Sequence, residues 1–263
     1  MNLGLNAKVA IVGGASQGIG FGIARMLAGE GAKVAITARR EADLLAAAER
    51  LRGESGVTVL PIAADVRKAE DCQRVVATVK AELGGIDILV NNDGAPPLGP
   101  ILSFDDSAWQ KAVEQNLLSV VRMVREVVPS MKERGGGSIL NITALSAIQP
   151  IPGFALSVAT WAGVIGYAKT LSLEVGPDNI TVNTICPGRI DTPLSQRGFA
   201  RAAKGDAARA DELFNALVLS TPMRRIGIPE DIASAVAFLA SPQAGFITGV
   251  TLPIDGGRSA ALM

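Results

Sequence analysis

Residues 8–20 read KVAIVGGASQGIG. The apolar run Val9–Val12 stops abruptly in a turn built on Gly13, Gly14, Gly18 and Gly20. Beyond it, Ile19, Ile23, Met26 and Leu27 recur on one face of a helix. A strand, a glycine turn and a helix together make the arrangement that holds a dinucleotide pyrophosphate. Glycines let the backbone approach the phosphates with no Cβ in the way. The helix start adds unpaired N–H groups and a positive dipole end. The spacing Gly14-x3-Gly18-x-Gly20 differs from the common G-x-G-x-x-G form. A glycine-rich turn without a ligand is the competing reading.

Outward from this stretch, strand-like and helix-like segments alternate. Strands are expected at residues 9–12, 34–37, 57–61, 86–90, 138–142, 181–185 and 251–254. Helices are expected at residues 19–28, 41–51, 69–82, 106–132, 154–175 and 230–239. Residues 95–100 form a Pro/Gly loop. Residues 191–221 read as a polar, irregular substrate lid with a short helix near 211–219. Repeated βα units of this length predict one α/β domain over residues 1–263. Its core would be a doubly wound, Rossmann-type parallel sheet of about seven strands with helices on both faces. Right-handed crossovers then place ligands at the strand carboxyl ends.

Composition narrows the chemistry. The chain has 25 Lys+Arg against 25 Asp+Glu, so no net charge steers it to nucleic acid or an anionic membrane. Its cysteines, Cys72 and Cys186, form neither a metal spacing nor a disulfide framework. The first strand starts so early that no signal peptide is visible, which predicts a cytoplasmic protein. Residues 142–168 carry no formal charge, but Pro150, Pro152 and Gly153 interrupt them and polar side chains are scattered through them. A strand end, a loop and a buried helix fit better there than a membrane span. Histidine is absent, which excludes a Ser-His-Asp or Cys-His device and the commonest zinc ligand. No metal site is expected, and acid–base work falls to Tyr, Lys, carboxylates, a cofactor or water.

Ordered motifs then give a family resemblance over nearly the whole chain. The glycine turn resembles that of the short-chain dehydrogenase/reductases, with Gly13 where that family mostly has Thr. Asp65-Val66 matches the acidic residue beside the adenine. Asp87-Ile88-Leu89-Val90-Asn91-Asn92-Asp93-Gly94 is similar to a strand-four motif ending Asn-Asn-Ala-Gly. Asn116 matches an active-site helix asparagine, Pro187-Gly188-Arg189-Ile190-Asp191-Thr192 the loop onto the nicotinamide carboxamide, and Ile254-Asp255-Gly256-Gly257 the C-terminal signature. The resemblance implies cofactor contacts at Gly14, Ser16, Gln17, Gly18, Ile19, Gly20, Asp65, Val66, Asn92, Gly94, Pro187, Gly188, Ile190 and Thr192. Asp87, Asn91 and Asn183 read better as loop-holding residues.

Cofactor choice follows from charge. The second strand ends Thr37-Ala38-Arg39-Arg40. A carboxylate here would accept from a ribose 2′-OH and repel a 2′-phosphate. Ala38 stands in its place, and guanidinium pairs well with phosphate. NADP is therefore expected over NAD, with Arg39 and Arg40 as candidates; two solvated surface arginines are the alternative.

The proton-handling residues do not match. In the family a Tyr moves the proton, a Lys one helical turn later tunes it and holds the nicotinamide ribose, and a Ser after strand five orients the carbonyl. These positions hold Ser157, Trp161 and Ala144, and of the family's set only Asn116 remains. Ser146 lies close enough in sequence to supply a replacement hydroxyl. Tyr167 lies about 80° around the helix from Ser157 and about 15 Å along it, too far to substitute, and Lys169 fails likewise. Trp161 fills the ribose space, stacks on a ligand or simply packs a helix interface; all three readings stand open. Asp93 is a candidate base, a phosphate-repelling charge or an exposed loop acid. Arg189 is a candidate anchor for an anionic substrate or a surface arginine. Ala144, Pro150, Ile151, Pro152, Phe154 and Leu156 predict an apolar pocket wall.

The chain resembles a divergent branch near the 3-oxoacyl-(acyl-carrier-protein) reductases, sharing the Ala95-Pro96-Pro97 loop and Gln149-Pro150-Ile151-Pro152-Gly153. The leading expectation is a non-standard NADP-dependent oxidoreductase for a carbonyl or alcohol on a partly apolar small molecule. Its proton would move through Asn116 with Ser146 or Ser157. The alternatives are a non-redox dehydratase, lyase or isomerase using Asp93 or water, and a catalytically silent nucleotide-binding or assembly subunit. The resemblance also implies a homo-oligomer, a dimer or tetramer.

Overall fold

Val9–Val12, β1, is buried along its whole length because it lies mid-sheet with helices on both faces. The computed structural model describes residues 2–92, 94 and 96–260. The other strands are β2 (Lys33–Ala38), β3 (Val59–Ala63), β4 (Ile88–Asn91), β5 (Gly137–Ile142), β6 (Ile180–Pro187) and β7 (Thr251–Ile254). They form one seven-stranded sheet in the order β3-β2-β1-β4-β5-β6-β7, and every pairing is parallel. The order reverses between β1 and β4, which opens a crevice at their carboxyl ends.

The helices are α1 (Gly18–Gly29), α2 (Glu41–Ser55), α3 (Ala69–Leu83), α4 (Asp106–Val113), α5 (Ser119–Glu133), α6 (Ala155–Val175), α7 (Pro193–Ala202), α8 (Ala207–Ser220) and α9 (Pro229–Leu239). Two apolar clusters fill the two faces of the sheet. One joins Ile23, Leu27, Val34, Ile36 and Val236; the other joins Ile11, Val75, Val124, Ile139, Val164 and Val182.

Two expectations need correction. The helix expected over residues 106–132 is interrupted by a π turn, Glu114–Leu118. The lid is not irregular but consists of two helices, α7 and α8, whose Phe199 and Phe214 rings meet edge-on at 6.0 Å. The missed helix α7 did have a local signal: Thr192 caps it reciprocally with Ser195, and Pro193 occupies its first turn. Asp87, Asn91 and Asn183 do hold the frame. Asp87 accepts from Val9 N (2.8 Å) and from Arg134, Asn91 Nδ2 donates to Asn141 Oδ1 (2.9 Å), and Asn183 Nδ2 donates to Ile247 O (2.8 Å). No helix among the described residues is long and apolar enough to cross a membrane.

Candidate active site

All seven strands run the same way, so the loops after them meet along one edge. After β1, Gly14 and Gly18 adopt φ of 58° and 62°. A Cβ on Gly14 would lie 2.3 Å from Asn92 O, and one on Gly20 would lie 2.5 Å from Gly14 O. The loop therefore admits only glycine at these points, with Ser16, Gln17 and Ile19 half-buried around it. Gln17 holds the N-cap position of α1 but makes no side-chain capping bond. Among the described residues the first N–H groups of α1 thus have no side-chain acceptor, the condition for anion binding at a helix start. Asn92 Nδ2 donates to Gly13 O (3.2 Å), so Asn92 braces this loop from the β4 side.

Charge pairing separates the residues expected at an adenosine end. Arg39 and Arg40 are both exposed. Arg40 pairs with Asp43 on the first turn of α2, whereas Arg39 makes no ion pair among the described residues. Asp65 is gripped by Arg67, with Nε at 2.8 Å from Oδ1 and Nη2 at 2.5 Å from Oδ2. That bond is the main reason its carboxyl lies below the usual carboxylate range, burial opposing it. Val66 is buried behind it. Arg67 was not singled out from sequence; its place two residues after Asp65 in a turn was the available signal.

On the far side, Gly94 has φ of 97°, and a Cβ there would lie 2.3 Å from Gln115 Nε2. Asp93, the candidate base, and Ala95 of the Pro-Pro loop lie outside the described residues. Pro187, the last residue of β6, is buried, as is Ile190 beyond it, which bridges to Gly227. The Thr192 methyl lies 3.4 Å from where a Gly18 Cβ would stand, so the lid begins directly over the glycine loop.

A hydroxyl array lies after β5, where the resemblance leads one to expect the proton-handling residues. Ala144 precedes a 3₁₀ turn, Leu145–Ala147, that presents Ser146. Ser146 Oγ and Ser157 Oγ are 3.1 Å apart, and both residues are buried. Asn116 sits in the π turn, fully buried. Its Nδ2 donates to Thr160 Oγ1 (2.8 Å), which in turn donates to Leu156 O (2.7 Å). Asn116 Oδ1 has no partner among the described residues. Ser157 and Thr160 are about a turn apart on α6, so both pairs meet on one side of that helix. Thr160 was missed from sequence because nothing local marks it as the asparagine's partner.

Of the three readings of Trp161, packing is the one the structure supports. The ring is 5% exposed and joins the cluster containing Val120, Val124 and Val164. Tyr167 lies further along the unbroken α6, with its phenol raised by burial and by Glu174. Lys169 Nζ donates to Gly249 O (3.2 Å). Neither reaches Ser157. Of the residues expected to wall a pocket, Ala144, Ile151 and Phe154 are half-buried and Pro150 and Pro152 exposed, and Gly99 N ties the two loops together through Gly153 O (2.9 Å). Leu156 departs from that expectation, being fully buried.

A doubly wound parallel sheet with a glycine cradle at its switch point defines a Rossmann-type dinucleotide-binding protein. A family profile described as enoyl-(acyl carrier protein) reductase matches residues 14–259. The chain belongs to the short-chain dehydrogenase/reductase family. It is 38% identical over 256 residues to human dehydrogenase/reductase SDR family member 4, covering 97% of this chain and 88% of that protein. It is 38% identical over 255 residues to the 3-oxoacyl-(acyl-carrier-protein) reductase FabG of Vibrio cholerae, covering 97% and 98%. The crystal structure of L-sorbose reductase from Gluconobacter frateurii, complexed with NADPH and L-sorbose, superposes with a TM-score of 0.96 at 36% identity over 100% of both chains. The family assignment supports an oxidoreductase-like protein acting on small molecules.

Proposed function

We propose that this protein is an NADP-dependent oxidoreductase for a carbonyl or alcohol on a partly apolar small molecule, with a serine pair in place of the family's Ser/Tyr/Lys set. The observation that carries it is a closed glycine cradle on the same sheet edge as the bonded Ser146–Ser157 pair and the buried Asn116. Gly14, Ser16, Gln17, Gly18, Ile19 and Gly20 would hold the pyrophosphate, and Arg39 the 2′-phosphate. Asp65 and Val66 would flank the adenine. Gly94, Pro187, Gly188, Ile190 and Thr192 would face the nicotinamide half. The L-sorbose reductase with this fold was solved with NADPH, which supports the choice of dinucleotide.

When bound, the nicotinamide supplies or accepts the hydride. Ser157 Oγ holds the proton that balances it, shared with Ser146 Oγ across their hydrogen bond. Asn116 stands behind them with Oδ1 open as an acceptor for a relay. Ile151 and Phe154 keep the reacting end away from bulk water. A serine pair is a weaker acid at neutral pH than a tuned phenol. Loss of a matched general acid costs about 10²–10⁴-fold, so slow turnover is expected.

Quenching of tryptophan emission by NADPH, followed by a carbonyl panel read through NADPH absorbance, tests this reading. Ser157→Ala should abolish turnover while leaving quenching intact. Quenching with no turnover on any carbonyl would point to a silent subunit, and absence of quenching would remove the cofactor assignment. A homo-oligomer is part of the same proposal. The outer face of α6 carries exposed Ala159, Ala162, Gly166 and Leu173, the last 71% exposed. A helix apolar on most sides is expected to be covered. Light scattering that returns a monomer at micromolar concentration would refute it.

A further inference from the structure

Strands β6 and β7 end in register, Pro187 beside Ile254. The chain beyond each stays in contact: Gly188 N donates to Ile254 O (2.9 Å), and a Cβ on Gly188 would lie 2.7 Å from Asp255 Cα. Arg189 follows the first strand and Arg258 the second, so the topology delivers two guanidinium groups to one place. The neighbouring acids are committed elsewhere. Asp255 accepts from the tail's own amides, Gly257 N at 2.9 Å and Ser259 N at 2.7 Å. Asp191 Oδ1 accepts from Gln196 Nε2 (3.0 Å). Neither arginine makes an ion pair among the described residues. Arg189 is exposed to solvent at the cleft edge, and its guanidinium lies below the usual arginine range through partial desolvation by its neighbours and then repulsion from Arg258. Two like charges thus lie near each other with no ion-pair partner among the described residues, the neighbouring Asp255 carboxylate being held by the tail's amides.

The pair borders the cleft already described. The tail bearing Arg258 is clamped to the loop after β5, where Gln149 Oε1 accepts from Ala260 N (2.9 Å). That loop opens with Ser146, which bonds Ser157. The segment bearing Arg189 continues through Ile190 to Thr192, over the glycine loop. Helix α7 adds exposed Arg197 and Arg201, and Lys204 follows it, none ion-paired among the described residues. The cleft mouth is therefore basic on a chain of zero net charge.

We propose that Arg189 and Arg258 form an anion subsite, so that the substrate carries a carboxylate or phosphate at the end away from its reacting carbon. This rests on reading the sheet edge as a substrate cleft. Guanidinium forks match either anion bidentately, and an anion between the two groups would relieve their repulsion.

Calorimetry on the full-length protein tests the subsite without requiring turnover. Levulinate and 2-pentanone are probes that differ chiefly in a carboxylate, and inorganic phosphate forms a second arm. Levulinate should bind about tenfold or more tightly than 2-pentanone. Arg189→Gln and Arg258→Gln should each remove that preference, and Arg258→Lys should restore part of it. Phosphate binding lost in both glutamine variants and tighter than levulinate would assign the phosphate source; the reverse order assigns the carboxylate. Equal binding of both ketones, with phosphate binding insensitive to both arginines, overturns the subsite. Arginine-dependent levulinate binding without NADPH quenching would leave the subsite standing and remove the cofactor reading. NADPH-linked reduction of neutral ketones as fast as levulinate would do the opposite.

Discussion

Replacing Arg39 with alanine should weaken NADPH binding while leaving NADH almost untouched. Sequence offers two adjacent arginines for the 2′-phosphate, and the structure separates them. Arg40 is already paired with Asp43, and the nearby Arg67 is bidentate on Asp65. Arg39 alone has no ion pair among the described residues. Hydrogen bonds to a charged group translate into roughly ten- to a hundredfold in affinity. The lower half of that range applies here for two reasons. Arg39 is exposed, so salt screens it, and it already acts on the Asp65 carboxyl, lowering that group's pKa. The expectation is a loss of about tenfold to thirtyfold for NADPH in Arg39→Ala, less than about threefold for NADH, and less than about threefold for NADPH in Arg40→Ala. Titrations of tryptophan quenching with both dinucleotides, at two salt concentrations, measure all of these. Equal losses for NADPH and NADH, or a larger loss from Arg40→Ala, would refute the reasoning.

Other expectations concern stability and the cradle. Asp87 accepts from Val9 N at 2.8 Å, from Arg134 at 2.9 Å through each oxygen, and from Lys8 at 3.3 Å. Burial pushes its carboxyl up, but these partners prevail and hold it below 3.8. A lowered folded pKa gives stability that is present above the unfolded value and lost as pH falls through the folded one. Melting temperature should therefore drop below about pH 4, and Asp87→Asn should flatten that drop; an identical acid slope in the variant would count against the assignment. Arg134→Met leaves the buried carboxylate with Lys8 and one amide, and should cost roughly 3 kcal/mol in urea unfolding. Trp161→Ala removes a core ring and should cost roughly 3–5 kcal/mol, so a loss near zero would mean the ring is not part of the core. Gly14→Ala places a Cβ 2.3 Å from Asn92 O at a φ of 58°. It should abolish NADPH quenching, and retained quenching would show that the loop yields.

Much of the site could be read along the chain because its parts are local. The glycine turn, the alternating segments and the cofactor-side motifs each depend on residues a few positions apart, where backbone sterics and period decide the outcome. The replacements at Ala144, Ser157 and Trp161 were legible for the same reason, since strand β5 and helix α6 set the register on both sides. Less accessible were features created by one side chain meeting another far along the chain. Asn116 finds Thr160 across 44 residues, and the segments bearing Arg189 and Arg258 come together through two strands that pair only in the folded sheet. The π turn around Asn116 falls in the same class, because no residue within Glu114–Leu118 announces it. The fate of Asp65 was open for a different reason: a carboxylate in a turn is equally free to bind a ligand or an arginine, and only the position of the Arg67 fork decides.

By itself the sequence determined a parallel α/β sheet, a glycine turn after β1 and which side chains stand at Ala144, Ser157 and Trp161. These follow from short-range rules: periodicity, the missing Cβ of glycine and the identity of side chains at a known helical register. Tertiary structure alone decided that Ser146 and Ser157 share a hydrogen bond, that Trp161 is core, that Arg40 rather than Arg39 makes an ion pair among the described residues, and that the segments bearing Arg189 and Arg258 run side by side. Each of those depends on distances between segments remote in sequence, and such distances exist only once the strands have paired and the helices have packed against them.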